Sequence, residues 1–188
     1  MKRLLAVLAS TIFLAFSHQS ISPASATDLN LIGPGGRIHG ADISRWQHPN
    51  DKPIDFVKMH EAGVSFVMIK ASDTRDDADL LAVKYLKMDR TGAQDAGIYT
   101  GFYHYAILPD VTSPSAIARD ARVQAQKVIW RIASLGGYNE KDLPVALDLE
   151  NNCVRLSSTK VCKKYATRSA ATLWSKTFLK SIKDKTGR

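Results

Sequence analysis

From residue 38 onward, apolar positions alternate between short unbroken runs and longer stretches with helical spacing. Residues 38–44 form a short strand-like run. Residues 53–62 read as a helix with Phe56, Val57 and Met59 on its apolar face, stopped by Gly63. Residues 64–71, VSFVMIKA, are a nearly continuous apolar strand, the pattern of a strand covered on both faces. Residues 77–96 are helix-like, with Leu80, Leu81, Val83, Tyr85, Leu86 and Met88 as apolar positions, and end at Gly97. Residues 98–107 are strand-like and rich in aromatics. Residues 114–134 form a long helix closed by Gly136 and Gly137. Residues 143–150, LPVALDLE, make a fourth strand, and residues 158–183 a fourth helix, with Gly187 near its end.

Strand and helix therefore alternate four times, a rhythm that predicts parallel strands joined by right-handed helical crossovers in an α/β fold. Two architectures satisfy four such units: a small open doubly wound sheet, or half of a β/α barrel of the TIM type, which closes with eight strands. Periodicity does not choose between them. No glycine-rich phosphate loop follows the first strand, which removes the usual support for a nucleotide-binding sheet.

The segment before residue 37 follows a different pattern. Lys2 and Arg3 precede a mainly apolar run over residues 4–16, and Pro23-Ala24-Ser25-Ala26 supplies a small-residue ending. This is the layout of a secretory signal peptide cut after Ala26. Its apolar run is shorter than the roughly 20 residues that a spanning helix needs. Residues 27–36 form a polar, Gly/Pro-rich leader, and residues 37–188 a single domain. The expected location is outside the cytoplasm, extracellular or periplasmic, with no membrane association after signal cleavage.

Composition, 45% apolar and 23% charged, is that of an ordinary globular protein and excludes disorder or a collagen-like fibre. Loss of the signal peptide removes Lys2 and Arg3 and no acid, so the net charge falls from +8 to +6. A basic exported protein suits an anionic surface such as a bacterial wall. Nucleic acid is not expected as a partner, because no Lys/Arg block interleaved with aromatics appears. Export also implies an oxidising compartment, in which Cys153 and Cys162 are expected to form a disulfide holding the segment after Glu150. Two cysteines without a neighbouring histidine leave zinc under-coordinated, so no metal is expected there.

In α/β folds functional groups collect at the C-terminal ends of strands. The fourth strand ends in Asp148-Leu149-Glu150. Residues two apart on a strand point the same way, with Cα atoms about 6.6 Å apart. Like charges at that range push one pKa up, giving an acid and a base at one pH, the pair that glycoside hydrolysis needs. The same spacing also suits a solvated turn or a cation site, and spacing alone leaves these open. Asp42, inside an apolar run at the end of the first strand, needs a partner or a purpose; capping and a site role are both open. Lys70, at the end of the second strand, is placed either to neutralise a carboxylate or to reach solvent. On the third strand Tyr103 and Tyr105 share one face, and Phe102 and His104 the other. Aromatic rings at a strand end suit stacking on sugars, whereas a lone histidine such as His104 is more often a core residue. Clustered acids and aromatics without phosphate or metal motifs point to carbohydrate hydrolysis.

Four stretches, HGADISRWQ, AGVSFVMIKAS, AGIYTGFYHYAI and LPVALDLE, resemble the lysozymes of glycoside hydrolase family 25 in order and spacing, and span residues 38–188. The resemblance implies a retaining β-1,4-N-acetylmuramidase acting on peptidoglycan without a cofactor. It places the acid/base on Glu150 and, on Asp148, assistance to the substrate's acetamido group acting as internal nucleophile. It matches Asp42 and Tyr103 to family site residues and sets Lys70 and Asp73 in the family's second-strand segment; with Tyr105, which shares the face of Tyr103, these are the expected substrate-binding residues. Where the family carries Lys-Ala-Thr-Glu-Gly, this chain reads Lys70-Ala71-Ser72-Asp73-Thr74, with a shortened acid and no glycine. The family's barrel continues through four further strands that wall one side of the cleft, so the resemblance covers its front half. A half barrel implies an open sheet edge, which is consistent with a half that pairs with another copy, a truncated inactive remnant, or a non-catalytic wall-binding protein. A related chitin-type hydrolase is a further alternative.

Overall fold

A computed structural model describes residues 37–188; the predicted signal peptide and leader lie outside the described residues. Four parallel strands form one sheet in the order β1-β2-β3-β4: β1 (His39–Ile43), β2 (Val64–Asp73), β3 (Tyr99–Tyr105) and β4 (Ala146–Asp148). Helices α1 (Phe56–Glu61), α2 (Asp76–Asp95) and α3 (Pro114–Ser134) connect them in turn, and α4 (Arg168–Thr186) closes the series. Consecutive strands are neighbours throughout, so the sheet winds in one direction and curls into half of a β/α barrel. Of the two architectures open to the sequence, a doubly wound sheet would have reversed strand order.

Helix ends follow local chemistry. Ser113 caps α3 by accepting from the Ala116 N–H, with Pro114 at the first helical position. Thr167 caps α4 in the same way through Ala170 N–H, and Gly187 ends it with φ 80°.

The sheet has two unlike faces. On the convex side Ile43, Val67, Ile69, Ala71 and Phe102 are buried beneath Leu86, Ala93, Ala121, Ala125, Val128 and Ile132 of the helices. Trp174 and Phe178 of α4 stack on each other with ring centroids 5.2 Å apart and complete this core. The concave side carries Phe66, Met68 and Lys70 of β2, all half-buried. Coverage of β2 on both faces, expected from its apolar run, is thus complete on the helix side only. Phe66 and Met68 lie flat across neighbouring strands, because a Cβ on Gly40 would stand 2.2 Å from the Phe66 ring and one on Gly101 2.3 Å from Met68 Sδ.

Two further expectations are corrected. The buried face of α2 is not the stripe of Leu80, Leu81, Val83 and Met88, which are exposed; Ala82, Tyr85, Leu86 and Ala93 are buried together with Asp79, Asp89 and Arg90. Each buried charge has a partner elsewhere in the fold: Asp79 meets Arg131, Asp89 meets His48, and Arg90 meets Asp142. The fourth helix starts at Arg168, not near residue 158. Residues 153–165 instead form an antiparallel hairpin, β5 (Cys153–Leu156) with β6 (Cys162–Tyr165), bridged by the Cys153–Cys162 disulfide. Asp110 fixes this hairpin to the loop after β3 through ion pairs to Arg155 and Lys164.

Candidate active site

The C-terminal ends of the four strands gather the candidate residues on the concave side. Asp42 stands on β1 opposite Met68, Lys70 opposite Tyr103, and Tyr105 opposite Asp148. Asp42, Met68, Tyr103, Ala146, Asp148 and Glu150 line one cleft of about 370 Å³. Glu150 follows the last β4 residue by two positions and shares this cleft with Asp148, as the alternation of a strand predicts.

The electrostatics are those of acids crowded together. Burial pushes the Asp148 carboxyl above its ordinary range; the charge of Glu150 adds to this, Lys70 opposes it, and Asp42 and Asp73 add smaller repulsions. Burial raises the Tyr103 hydroxyl well above its ordinary value, with further contributions from Asp42 and Asp148. Tyr103 therefore stays a neutral hydroxyl beside the carboxylates, in hydrogen-bond contact with Ser44. Tyr105 is raised too, first by burial and then by Glu150, to which its side chain is hydrogen-bonded.

Lys70 and Asp73 hold a different position. Lys70 Nζ is 2.6 Å from Asp73 Oδ2 and 4.7 Å from the centre of the Tyr105 ring. Asp73 is buried, and Arg75 also binds it, through Nε at 3.0 Å to Oδ1 and Nη2 at 3.0 Å to Oδ2. Burial alone would raise this carboxyl, but the bonds from Arg75 and Lys70 outweigh it and hold the pKa near about 2. Asp73 thus sits behind the cleft, with both oxygens committed to its own chain.

His104 is a core residue. Its Nδ1 is 2.8 Å from Ser72 Oγ, its ring stacks 5.1 Å from Phe178, and burial lowers its pKa to about 3. Among the described residues no cluster of His, Cys, Asp and Glu could hold a metal ion, and no helix is long and apolar enough to cross a membrane.

Sequence reasoning missed Ser44, Arg75 and Arg45. Ser44 was legible, since it lies two residues after Asp42, directly past the end of the first strand. Arg75 was not, because its role depends on a turn that folds it back onto Asp73.

A curled parallel sheet with carboxylates at its C-terminal strand ends defines a β/α-barrel protein with an acid-lined cleft. Comparison narrows this class: the model of glycosyl hydrolases family 25 matches residues 41–188, and the chain belongs to that family. It is similar to Lysozyme M1 of Streptomyces globisporus, 33% identical over 145 residues that cover 71% of this chain and 42% of that protein. It is also similar to the uncharacterized protein YegX of Escherichia coli O6:H1, 28% identical over 80% of this chain and 46% of that protein. Among solved structures, the bacterial lysozyme from Streptomyces coelicolor aligns with a TM-score of 0.54 and 25% identity, covering 80% of this chain and 59% of that one. A family 25 glycosyl hydrolase from Bacillus anthracis aligns with a TM-score of 0.58 and 20% identity, covering 81% and 58%. The chain spans less than half the length of the curated relatives it matches.

Proposed function

We propose that this chain is a muramidase that cleaves the β-1,4 bond between N-acetylmuramic acid and N-acetylglucosamine in peptidoglycan, with retention. The observation that carries the reading is the convergence of Asp148 and Glu150 on one cleft with Asp42 and Tyr103. Glu150 protonates the leaving glycosidic oxygen and then takes a proton from the incoming water. Asp148 orients the substrate's acetamido group, whose oxygen attacks the anomeric carbon; burial and the Glu150 charge, which raise Asp148, favour a carboxyl that shares a proton with the amide nitrogen. Tyr103 donates to the same group or to Asp148, and Tyr105 holds Glu150. Lys70 and Asp42 contact the sugars at the rim, while Asp73 acts through Lys70. No cofactor takes part.

The proposal includes export by residues 1–26, a leader over 27–36 and a catalytic unit over 37–188. It also includes the far side of the cleft. In the described sheet β4 is an edge strand, and a second copy of the chain paired through β4 would supply a further strand to line that wall. Size-exclusion with light scattering checks this: a mass of two copies supports pairing, and a monomer that cleaves wall rules it out.

The deciding experiment measures new reducing ends released from purified peptidoglycan, with the Glu150→Gln variant beside the parent. Activity lost only in the variant, with wall binding retained, supports the assignment. Hydrolysis that survives Glu150→Gln removes Glu150 as the acid. Products from peptidoglycan but not from chitin separate a muramidase from a chitin-type hydrolase.

A further inference from the structure

Next to the acid-lined cleft lies a second, smaller recess of about 110 Å³, walled by Ser44, Arg45, Trp46, Lys70, Arg75 and Ala78. Its charge is opposite to that of the cleft. Three cations line it, and among the described residues Asp73 is the one carboxylate bonded to any of them, held by Lys70 and Arg75. Asp77 acts on Arg75 from further off. Arg45 has no carboxylate partner among the described residues. Its guanidinium carbon lies 4.2 Å from the centre of the Trp46 ring, and Trp46 itself is 75% exposed. A guanidinium carries its donors in a fixed planar fork, the geometry that matches carboxylate or phosphate oxygens. Small side chains at Ser44 and Ala78 leave the space open.

The recess and the cleft are neighbours, lined by separate residues of the same strand ends. Lys70 belongs to the recess and also acts on Asp148, and Ser44 belongs to the recess and bonds Tyr103 of the cleft. A polymer seated at Asp148 and Glu150 therefore presents a neighbouring substituent to Arg45 and Arg75.

We propose that this recess is an anion subsite, which takes a carboxylate or phosphate group attached to the glycan strand. The inference rests on the muramidase reading for the identity of the strand. Two wall components carry such a group, the stem peptides with their carboxylates and phosphodiester polymers linked to the glycan. Arg45 supplies the fork, Arg75 and Lys70 the remaining positive potential, and Trp46 a flat apolar wall for the adjoining sugar.

The test measures co-sedimentation of the full chain, purified after export and carrying Glu150→Gln to prevent cleavage, with three insoluble glycans. These are untreated walls, walls freed of phosphate polymers by hydrofluoric acid, and walls further stripped of stem peptides by an amidase. Arg45→Gln should weaken binding to untreated walls by about tenfold, the scale of one charge-assisted hydrogen bond, and Arg45→Lys, which keeps the charge but loses the planar fork, should recover only part of it. Binding to fully stripped glycan should not change. The treatment that erases the difference identifies the group: the acid step for phosphate, the amidase step for carboxylate. Equal binding by Arg45→Gln and its parent overturns the subsite. So does an equal loss in Lys87→Gln, a charge-matched change on the exposed side of α2, which would mean diffuse attraction to a basic protein, and so does failure of the parent to bind any wall. Reducing-end release from stripped glycan by the chain with Glu150 intact is scored separately. Its absence removes the muramidase reading, and the binding series still decides the subsite.

Discussion

Lys70 and Asp73 form an ion pair of 2.6 Å although they lie three residues apart on one strand. In a regular strand, residues three apart point to opposite faces. The pairing of β2 with β3 shifts register between Lys70 and Ser72, and this bulge turns Asp73 onto the face that carries Lys70. The bulge sets the position of the lysine between Asp73, the Tyr105 ring and Asp148.

Removing the Asp73 charge leaves Lys70 and Arg75 without their common partner. Asp73→Asn is expected to cost about 2 kcal/mol of stability, read from the urea midpoint, below the full penalty for a buried pair because Arg75 is half exposed. In the parent the carboxyl lies near about 2 when folded and in the ordinary range when unfolded. Its stabilisation is therefore complete above about pH 4 and is lost as the pH falls toward 2. An acid limb in that window unchanged by Asp73→Asn would contradict this account.

His104 gives a second, separate window. Burial holds its folded pKa at about 3, so the unfolded chain binds a proton there first. Stability is complete above about pH 6.5 and falls toward pH 3, with a slope of up to about 1.4 kcal/mol per pH unit for this one group. His104→Phe should flatten that slope in denaturant titrations at pH 4 to 6.

Tyr105 links the cation pair to the proposed acid, since its ring meets Lys70 and its side chain is hydrogen-bonded to Glu150. Tyr105→Phe keeps the ring and removes the hydroxyl. The expected result is a fall in kcat of about tenfold with KM and thermal midpoint nearly unchanged, the loss of one hydrogen bond to a charged group. A rise in KM at constant kcat would assign Tyr105 to sugar binding instead.

The disulfide closes a loop of sequence separation 9 and ties the hairpin that follows Glu150. Cys153→Ala with Cys162→Ala is expected to cost roughly 2 kcal/mol, at the lower end of the usual range because the loop is short. Amide exchange should rise over residues 153–165 and stay constant in α3. The Asp110 ion pairs to Arg155 and Lys164 would keep the hairpin docked, so the variant should fold.

Much of this was readable from the chain. The four-fold alternation of strand and helix, the parallel sheet, the bounds of the helix over residues 114–134, and the shared cleft of Asp148 and Glu150 all follow from periods of 2 and 3.6, which are local properties. So did the placement of Tyr103 with the acids and of Phe102 and His104 away from them, as alternation along β3 requires.

Tertiary structure decided the rest, because it depends on groups distant in sequence. The apolar residues of α2 gave its buried face only at Tyr85 and Leu86: Asp79, Asp89 and Arg90 are buried beside them because Arg131, His48 and Asp142 approach from other elements. The start of α4 was misplaced because residues 153–165 pair as a bridged hairpin and Thr167 caps the helix after it. Asp73 was drawn from the cleft to the rear of Lys70 by a bulge that no local pattern announces. The sequence by itself determined which residues could face the site, through backbone periodicity; the tertiary structure determined which of them face one another, through contacts between separate strands and helices.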